Sequence, residues 1–132
     1  MKSGNGLKIG INEVGTRDGL QNEPAWVDTD DKVALVDQLS TLGYEKIEVT
    51  SFTSAKAIPA LRDAEAVMKR IVRAPGVVYT ALVPNARGGE RAIDCGVDEF
   101  NLVMSASETH NLVNLRMTRS QSFEQHRGLR NC

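Results

Sequence analysis

The chain has 132 residues and a mass of 14.4 kDa, which suits one folded domain and excludes two. Hydrophobic residues make up 41% and charged residues 25%, which excludes a disordered or fibrous chain. The 16 basic and 17 acidic residues leave a net charge of -1, so the sequence carries no electrostatic footprint for nucleic acid or an anionic membrane, and we expect a small molecule or a protein as partner.

Short aliphatic segments alternate with helical ones along the first half of the chain. Residues 7–14 predict a strand, and after a polar loop the pattern predicts a helix that is capped by Asp28 or Thr29 and ended by Gly43. A second strand is predicted over residues 46–50. Apolar side chains at helical spacing between residues 61 and 71 predict the helix that follows it.

The same alternation continues through the second half. Residues 77–83 form a nearly continuous apolar run, as expected for a buried parallel strand, and Asn85 is the predicted N-cap of a short helix that ends before Gly96. Residues 99–104 predict a fourth strand and residues 105–119 a looser helix. Four βα units in succession imply right-handed crossovers and an α/β fold with a parallel sheet.

Length bears on which α/β fold this is. An eight-stranded barrel takes about 250 residues, whereas an open doubly wound sheet of four or five strands fits in about 130. By length alone, the open sheet is the favoured architecture.

Cysteine usage and the absence of targeting segments indicate the compartment. Cys95 and Cys132 are the only cysteines, which disfavours a disulfide framework and favours a reducing environment. The sequence shows no signal-peptide pattern and no apolar run near the roughly 20 residues that span a bilayer. We therefore expect a cytoplasmic protein.

Charged residues follow the first predicted strand directly. Arg17 and Asp18 stand where parallel α/β enzymes build active sites, at the carboxyl ends of the strands. A carboxylate there suits Mg²⁺ or Mn²⁺, and an adjacent guanidinium supplies donors for an oxygen that becomes negative. Taken alone, an Arg-Asp-Gly run is more often an exposed turn.

The surrounding residues carry a family resemblance. Residues 13–23 read EVGTRDGLQNE and resemble the opening signature of the 3-hydroxy-3-methylglutaryl-CoA lyase family, whose fold is a (β/α)₈ barrel. Further agreement in the same order extends the resemblance over residues 7–124, through IEVTSF at 47–52, Ser54, Lys56, Pro84-Asn85 and SASE at 105–108. The sequence departs from the family pattern at Thr16, Ala57 and Ala60, where the family often has Pro, an aromatic residue and Gln.

The resemblance implies roles for five residues. Asp18 corresponds to a ligand of a divalent metal, Mg²⁺ or Mn²⁺, and Arg17 to the group that stabilises the enolate of the thioester product. Glu48 corresponds to an acidic residue that holds Arg17 and helps in proton handling, and Gln21 and Ser51 are expected pocket contacts. The implied reaction is metal-assisted cleavage of 3-hydroxy-3-methylglutaryl-CoA to acetyl-CoA and acetoacetate, a step of leucine degradation and ketone body metabolism.

The resemblance also implies that part of the site is missing. In the family an H-x-H pair and an Asn complete the metal site, and a Gly-rich loop carries a catalytic Cys, but this sequence contains none of them. We therefore expect residues 1–124 to be the (βα)₄ N-terminal half of a TIM barrel, with an incomplete metal site and an inactive isolated chain. Residues 125–132 are expected to be a divergent polar tail from truncation or a frameshift, and the longer parent is expected to bind an acyl-CoA thioester and to form a homo-oligomer.

Two other functions remain open at this level. One is a non-catalytic small α/β module that binds a ligand. The other is a fragment of a sister synthase that condenses acetyl-CoA with a 2-oxo acid, against which Leu20 argues because that branch carries an acidic residue there. The two histidines, His110 and His126, form no metal-ligand pair in sequence, and Cys95 is expected to be a small buried apolar side chain.

Overall fold

The computed structural model describes residues 9–129 as a parallel sheet with helices packed against one face. The strands are β1 Asn12–Glu13, β2 Lys46–Ser51, β3 Val78–Leu82 and β4 Glu99–Asn101. The helices are α1 Thr29–Leu39, α2 Ala64–Arg70, α3 Ala86–Asp94, α4 Glu108–Leu115 and α5 Arg119–Leu129. The predicted βα alternation is therefore confirmed.

The sheet order is β1-β2-β3-β4, and every neighbouring pair is parallel. A doubly wound sheet reverses its strand order partway, and this sheet does not. The open doubly wound architecture that length favoured is therefore wrong, and the sequential order is that of consecutive βα units in a barrel.

The two faces of the sheet differ in chemistry because successive side chains of a strand point to opposite sides. Ile47, Tyr79 and Ala81 join the apolar core that α1, α2 and α3 cover. Full burial of a side chain such as that of Ile47 stabilises the fold by roughly 1.5–3 kcal/mol. Glu48 and Thr80, which are register partners in β2 and β3, are buried on the polar face.

Local signals at the helix ends agree with the structure. Asn85 caps α3, and its side-chain oxygen accepts a hydrogen bond from the Gly88 amide at 2.9 Å. Gly43 and Gly96 end their βα segments with φ of +83° and +70°, a region that only glycine enters without strain. Asp28 precedes α1 but makes no side-chain cap bond, because its carboxylate accepts from the indole of Trp26 at 2.8 Å instead.

Several predicted elements are longer than the observed ones. The strand predicted over residues 7–14 is reduced to Asn12–Glu13, with residues 7 and 8 outside the described part of the chain. The strand predicted over residues 99–104 ends at Asn101. Both are outer strands with one described neighbour, so half of their backbone groups lack a ladder partner.

The helix predicted over residues 105–119 is instead two helices. α4 ends at Leu115, its C-cap residue Arg116 has a φ of +55° in the left-handed region, and α5 begins at Arg119. The polar tail predicted from residue 125 begins inside α5, where Leu129 is buried against the core, and residues 130–132 lie outside the described residues. The described helices include none long and apolar enough to cross a membrane.

Asn111 holds this helical corner together from a fully buried position. Its carbonyl accepts from the Ser105 amide at 2.8 Å, and its amide donates to the Met117 carbonyl at 2.9 Å and the Ser122 hydroxyl at 2.8 Å. The side chain therefore joins the β4–α4 loop, the left-handed turn and α5.

We expect Asn111→Leu to lower the free energy of unfolding by about 1–3 kcal/mol, because the buried Ser122 hydroxyl and two half-buried backbone groups lose their partner. Urea denaturation measures the change. Asn114→Leu, an exposed position on the same helix, is the matched control and should stay within about 0.5 kcal/mol of the unaltered chain. Equal losses in the two variants would contradict this account of Asn111.

Candidate active site

Arg17, which follows β1, forms an ion pair with Glu48 of β2, as the sequence predicted. The Arg17 Nε donates a hydrogen bond to Glu48 Oε1. The two side chains are largely buried, with 17% and 5% of their surfaces exposed. An ion pair removed from water in this way is screened little by salt and holds a defined geometry.

A single π-helical turn over Gly15–Gly19 directs Arg17 toward the sheet. It begins directly after β1, and the Asp18 amide donates to the Val14 carbonyl at 2.7 Å. The buried Thr16 hydroxyl donates to the Glu48 carbonyl at 3.0 Å and so ties the turn to β2. Isolated π turns are uncommon and occur often at functional sites.

Glu48 is in the middle of β2 and not at its end, where the sequence placed it. Its second oxygen, Oε2, accepts a hydrogen bond from the side-chain amide of Asn101. Both carboxylate oxygens are thus engaged by donors from other elements. This arrangement suits a residue that holds Arg17 in place.

Asp18 lies beside Arg17 and projects outward, with 59% of its side chain exposed. Its Oδ1 accepts from Arg17 Nη1 at 2.9 Å, while Oδ2 accepts from no other described residue. A carboxylate in this position fits one position in the oxygen shell of a Mg²⁺ or Mn²⁺ ion. Within residues 9–129, no group of three or more His, Cys, Asp or Glu side chains is arranged to hold a metal. The described donor set therefore fits a single metal ligand and not a whole site.

A cavity of about 450 Å³ opens next to Arg17. Gln21 lines it, and its side-chain carbonyl lies 3.4 Å from Arg17 Nη1. The remaining wall comes from the end of β3, from the loops after β2, β3 and β4, and from the end of α4. Its apolar members include Ala57, Ile58, Leu82, Val103 and Leu115, and Thr53 and Asn114 add polar groups. A pocket of this size, lined by both apolar and polar side chains, suits an organic acyl group that carries polar oxygens.

Ser51 does not line this cavity. Its buried hydroxyl lies 2.8 Å from the Thr53 hydroxyl and also accepts from the Thr53 amide at 3.2 Å. Thr53 is the wall residue, and Ser51 supports it from behind. The predicted pocket contact is therefore replaced by the residue two positions further along the chain.

His110 and Cys95 lie apart from the Arg17–Glu48 pair. His110 Nδ1 is 2.6 Å from the Ser105 hydroxyl near the start of α4. Cys95 is a free, buried thiol behind the sheet, as predicted, and burial raises its pKa above the ordinary value. Its neutral form packs with the apolar core.

The raised pKa predicts a slow reaction of Cys95 with thiol reagents. Because the thiolate is the reactive form, we expect Cys95 in a Cys132→Ser variant to react with a disulfide reagent at pH 8 at least about tenfold more slowly in the folded chain than in urea. The raised pKa also means that this group contributes stability at low pH that is lost as pH rises through its folded value. Equal rates in the two states would contradict the burial argument.

A second buried ion pair joins α1 to Asp63, the residue before α2. Lys32 on α1 is 4% exposed and donates to Asp63 Oδ1 and to the Ala60 carbonyl, each at 2.7 Å. Trp26 covers it, with the Lys32 ammonium 3.9 Å and the Arg62 guanidinium 3.6 Å from the ring centre. Sequence analysis missed this cluster, since nothing local to Lys32 signals its partner 31 residues away.

Comparisons with known proteins find relatives along most of the chain. The sequence profile of a family described as HMGL-like matches residues 8–130. The hydroxymethylglutaryl-CoA lyase YngG of Bacillus subtilis is 54% identical over 116 residues, which are 88% of this chain and 39% of that protein. The chain therefore spans about two fifths of the length of the curated relatives it matches.

Solved structures show the same likeness. The crystal structure of a Bacillus subtilis HMG-CoA lyase matches with a TM-score of 0.91 and 52% identity, over 94% of this chain and 42% of that one. The HMG-CoA lyase of Acinetobacter baumannii, in complex with coenzyme A and 3-methylmalate, matches with a TM-score of 0.89 and 51% identity, over 91% and 39% of the two chains.

Proposed function

This chain belongs to the HMGL-like family, and on that basis we propose that it provides the N-terminal half of the active site of a carbon–carbon lyase that acts on 3-hydroxy-3-methylglutaryl-CoA. The sequential parallel sheet is the N-terminal half of a TIM-barrel fold. The observation that carries the proposal is the Arg17 guanidinium, which is anchored through Nε on Glu48 and lies in the wall of the 450 Å³ cavity.

The reaction begins with loss of the proton from the tertiary hydroxyl of the substrate. The bond between that carbon and the thioester-bearing CH₂ then breaks, its electron pair passes to the thioester as an enolate, and the former alcohol carbon becomes the ketone of acetoacetate. Protonation of the enolate carbon yields acetyl-CoA. Negative charge develops on the thioester oxygen in the transition state, and stabilising such a charge is usually the largest single contribution to catalysis.

Arg17 is suited to stabilise that charge. Its Nε is committed to Glu48 and its Nη1 to Asp18 and Gln21. Nη2 donates to no other residue in the described part of the chain, so its two N–H groups are available to a substrate oxygen. Glu48 fixes the plane of the guanidinium; because both of its oxygens already accept hydrogen bonds, we propose this orienting role and not proton transfer.

Asp18 is the proposed metal ligand, and the other ligands would come from outside the described residues. A divalent cation held there would favour loss of the hydroxyl proton. Gln21, Thr53 and Asn114 contribute polar groups to the cavity wall, and its apolar residues would face the acyl group. The same proposal includes a CoA thioester as substrate and a cytoplasmic location. It also includes a role in leucine degradation and ketone body metabolism. The free Cys95 suits a reducing compartment.

The direct test is a chimera in which this chain replaces the matching segment of the Bacillus subtilis relative. We expect metal-dependent release of acetoacetate from 3-hydroxy-3-methylglutaryl-CoA at roughly 1–10³ s⁻¹, abolished by a chelator and restored by Mn²⁺ or Mg²⁺. The 132-residue chain alone should show little or no turnover, because its described residues supply one metal ligand.

The unaltered Bacillus subtilis protein and a circular dichroism spectrum serve as controls. A folded chimera that lacks turnover while the control protein is active would refute the proposal. Condensation of acetyl-CoA with a 2-oxo acid by the chimera would instead support the synthase alternative.

A further inference from the structure

We propose that Asn101 on β4 is a positioning residue for the Arg17–Glu48 pair. It holds the Glu48 carboxylate in place, and Glu48 in turn orients the guanidinium of Arg17 so that Nη2 is available to the cavity. Asn101 donates from Nδ2 to Glu48 Oε2 and, at 3.2 Å, to the Thr80 hydroxyl. The network thus crosses β2, β3 and β4 and meets the π turn after β1 through Arg17. The inference rests on the proposed function only for the role of Arg17.

The hydrogen bonds determine how the Asn101 amide is oriented. Glu48 is an ionised acceptor, so the group facing it must be the NH₂ and not the carbonyl, which would repel it. The Thr80 hydroxyl also accepts from the same NH₂ and lies 3.5 Å from the Ile47 carbonyl, to which it donates. Thr80 is fully buried, so its backbone and side chain provide a rigid support for the amide.

A second donor is needed because one hydrogen bond does not fix a carboxylate. The terminal torsion of Glu is broad, and a single contact to Arg17 would leave the carboxylate free to rotate about it. With Asn101 on Oε2 and Arg17 on Oε1, both oxygens are fixed. Stabilising a developing charge requires donors held within about 0.5 Å of the productive position, which an anchored guanidinium provides.

Ordinary strand preference does not account for this residue. Asn is depleted in β-strands, because its side chain competes for backbone hydrogen bonds. In β4 it makes no such local bond; both of its recorded side-chain hydrogen bonds reach other strands, 53 and 21 residues away. These long-range bonds connect Asn101 to Glu48 and Thr80 and account for an asparagine at this position.

The test measures hydrogen exchange of the Arg17 Nε–H by NMR in the whole 132-residue chain. We expect Asn101→Leu, which keeps the size and removes the donor, to raise the exchange rate by about tenfold, the factor for losing one hydrogen bond to a charged group. Asn101→Asp should raise it at least as much. Asn85→Ala, which removes an asparagine cap remote from Glu48, is the matched control and should change the rate less than about twofold.

Two further measurements separate positioning from a general loss of stability. In a Glu48→Gln background, Asn101→Leu should raise the exchange rate of the Arg17 Nε–H by less than about twofold, because Asn101 acts on Arg17 through Glu48. Thr80→Val leaves Asn101 in place and removes one of its acceptors. We therefore expect this variant to raise the exchange rate of the Arg17 Nε–H by less than Asn101→Leu does. If the Asn101 variants fail to fold, Thr80→Val decides: a rise supports the proposal, and an unchanged rate overturns it.

A rate that stays within about twofold in folded Asn101→Leu would overturn the proposal, since loss of a hydrogen bond to a charged group predicts about tenfold. In the chimera, the same variant should lower kcat and leave KM nearly unchanged, because Asn101 acts on transition-state stabilisation. The hydrogen-exchange measurement on Arg17 needs neither metal nor substrate. An inactive chimera with the expected exchange rates would therefore refute the proposed lyase function and leave the positioning role of Asn101 intact.

Discussion

Replacing Arg17 with glutamine in the chimera is expected to lower kcat by about 10²–10³-fold, with a much smaller change in KM. Removal of one donor that stabilises a developing oxyanion costs this much in other enzymes. The loss should appear in kcat because the charge on the thioester oxygen exists in the transition state and not in the bound substrate. Steady-state release of acetoacetate measures both constants.

Arg17→Lys should be nearly as inactive. An ammonium group cannot bond to Glu48, Asp18 and a substrate oxygen with the planar geometry that the guanidinium provides. Arg70→Gln is the matched control, because Arg70 forms an exposed pair with Asp30 and its loss should leave kcat unchanged. A tenfold or smaller loss in Arg17→Gln would argue against a direct role for this residue.

The largest expected effect on stability is that of Lys32→Met, which should lower the free energy of unfolding by about 3–5 kcal/mol. The substitution leaves the Asp63 carboxylate, 11% exposed, without its cation and also removes the ammonium from Trp26. Urea denaturation followed by fluorescence measures the change, and Trp26 reports it directly because it is the only tryptophan in the chain.

Two further variants test the cause of that loss. Arg70→Met breaks an ion pair whose side chains are 51% and 81% exposed, so it should cost less than about 1 kcal/mol. Lys32→Met combined with Asp63→Leu should recover more than half of the loss, since no uncompensated buried charge remains. Equal costs for Lys32→Met and Arg70→Met would contradict the assignment of a buried, energetically important pair.

Features that depend on neighbours in sequence were predictable. The strands and helices follow from periodic apolar residues, and the N-cap at Asn85 and the left-handed glycines at 43 and 96 act within one turn of the chain. The break between α4 and α5 was not predictable in this way. It has no Gly or Pro, and the left-handed Arg116 is held by a corner that Asn111 organises.

The sequence by itself determined the α/β class, the family resemblance and the adjacency of Arg17 and Asp18 near the carboxyl ends of the strands. Only the tertiary structure decided which side chains complete that site. Asn101 meets Glu48 across 53 residues, and Lys32 meets Asp63 across 31. Such pairs depend on strand register and on the packing of α1 against the loop before α2. No local propensity encodes them, because the polar groups acquire partners only when the sheet assembles and excludes water.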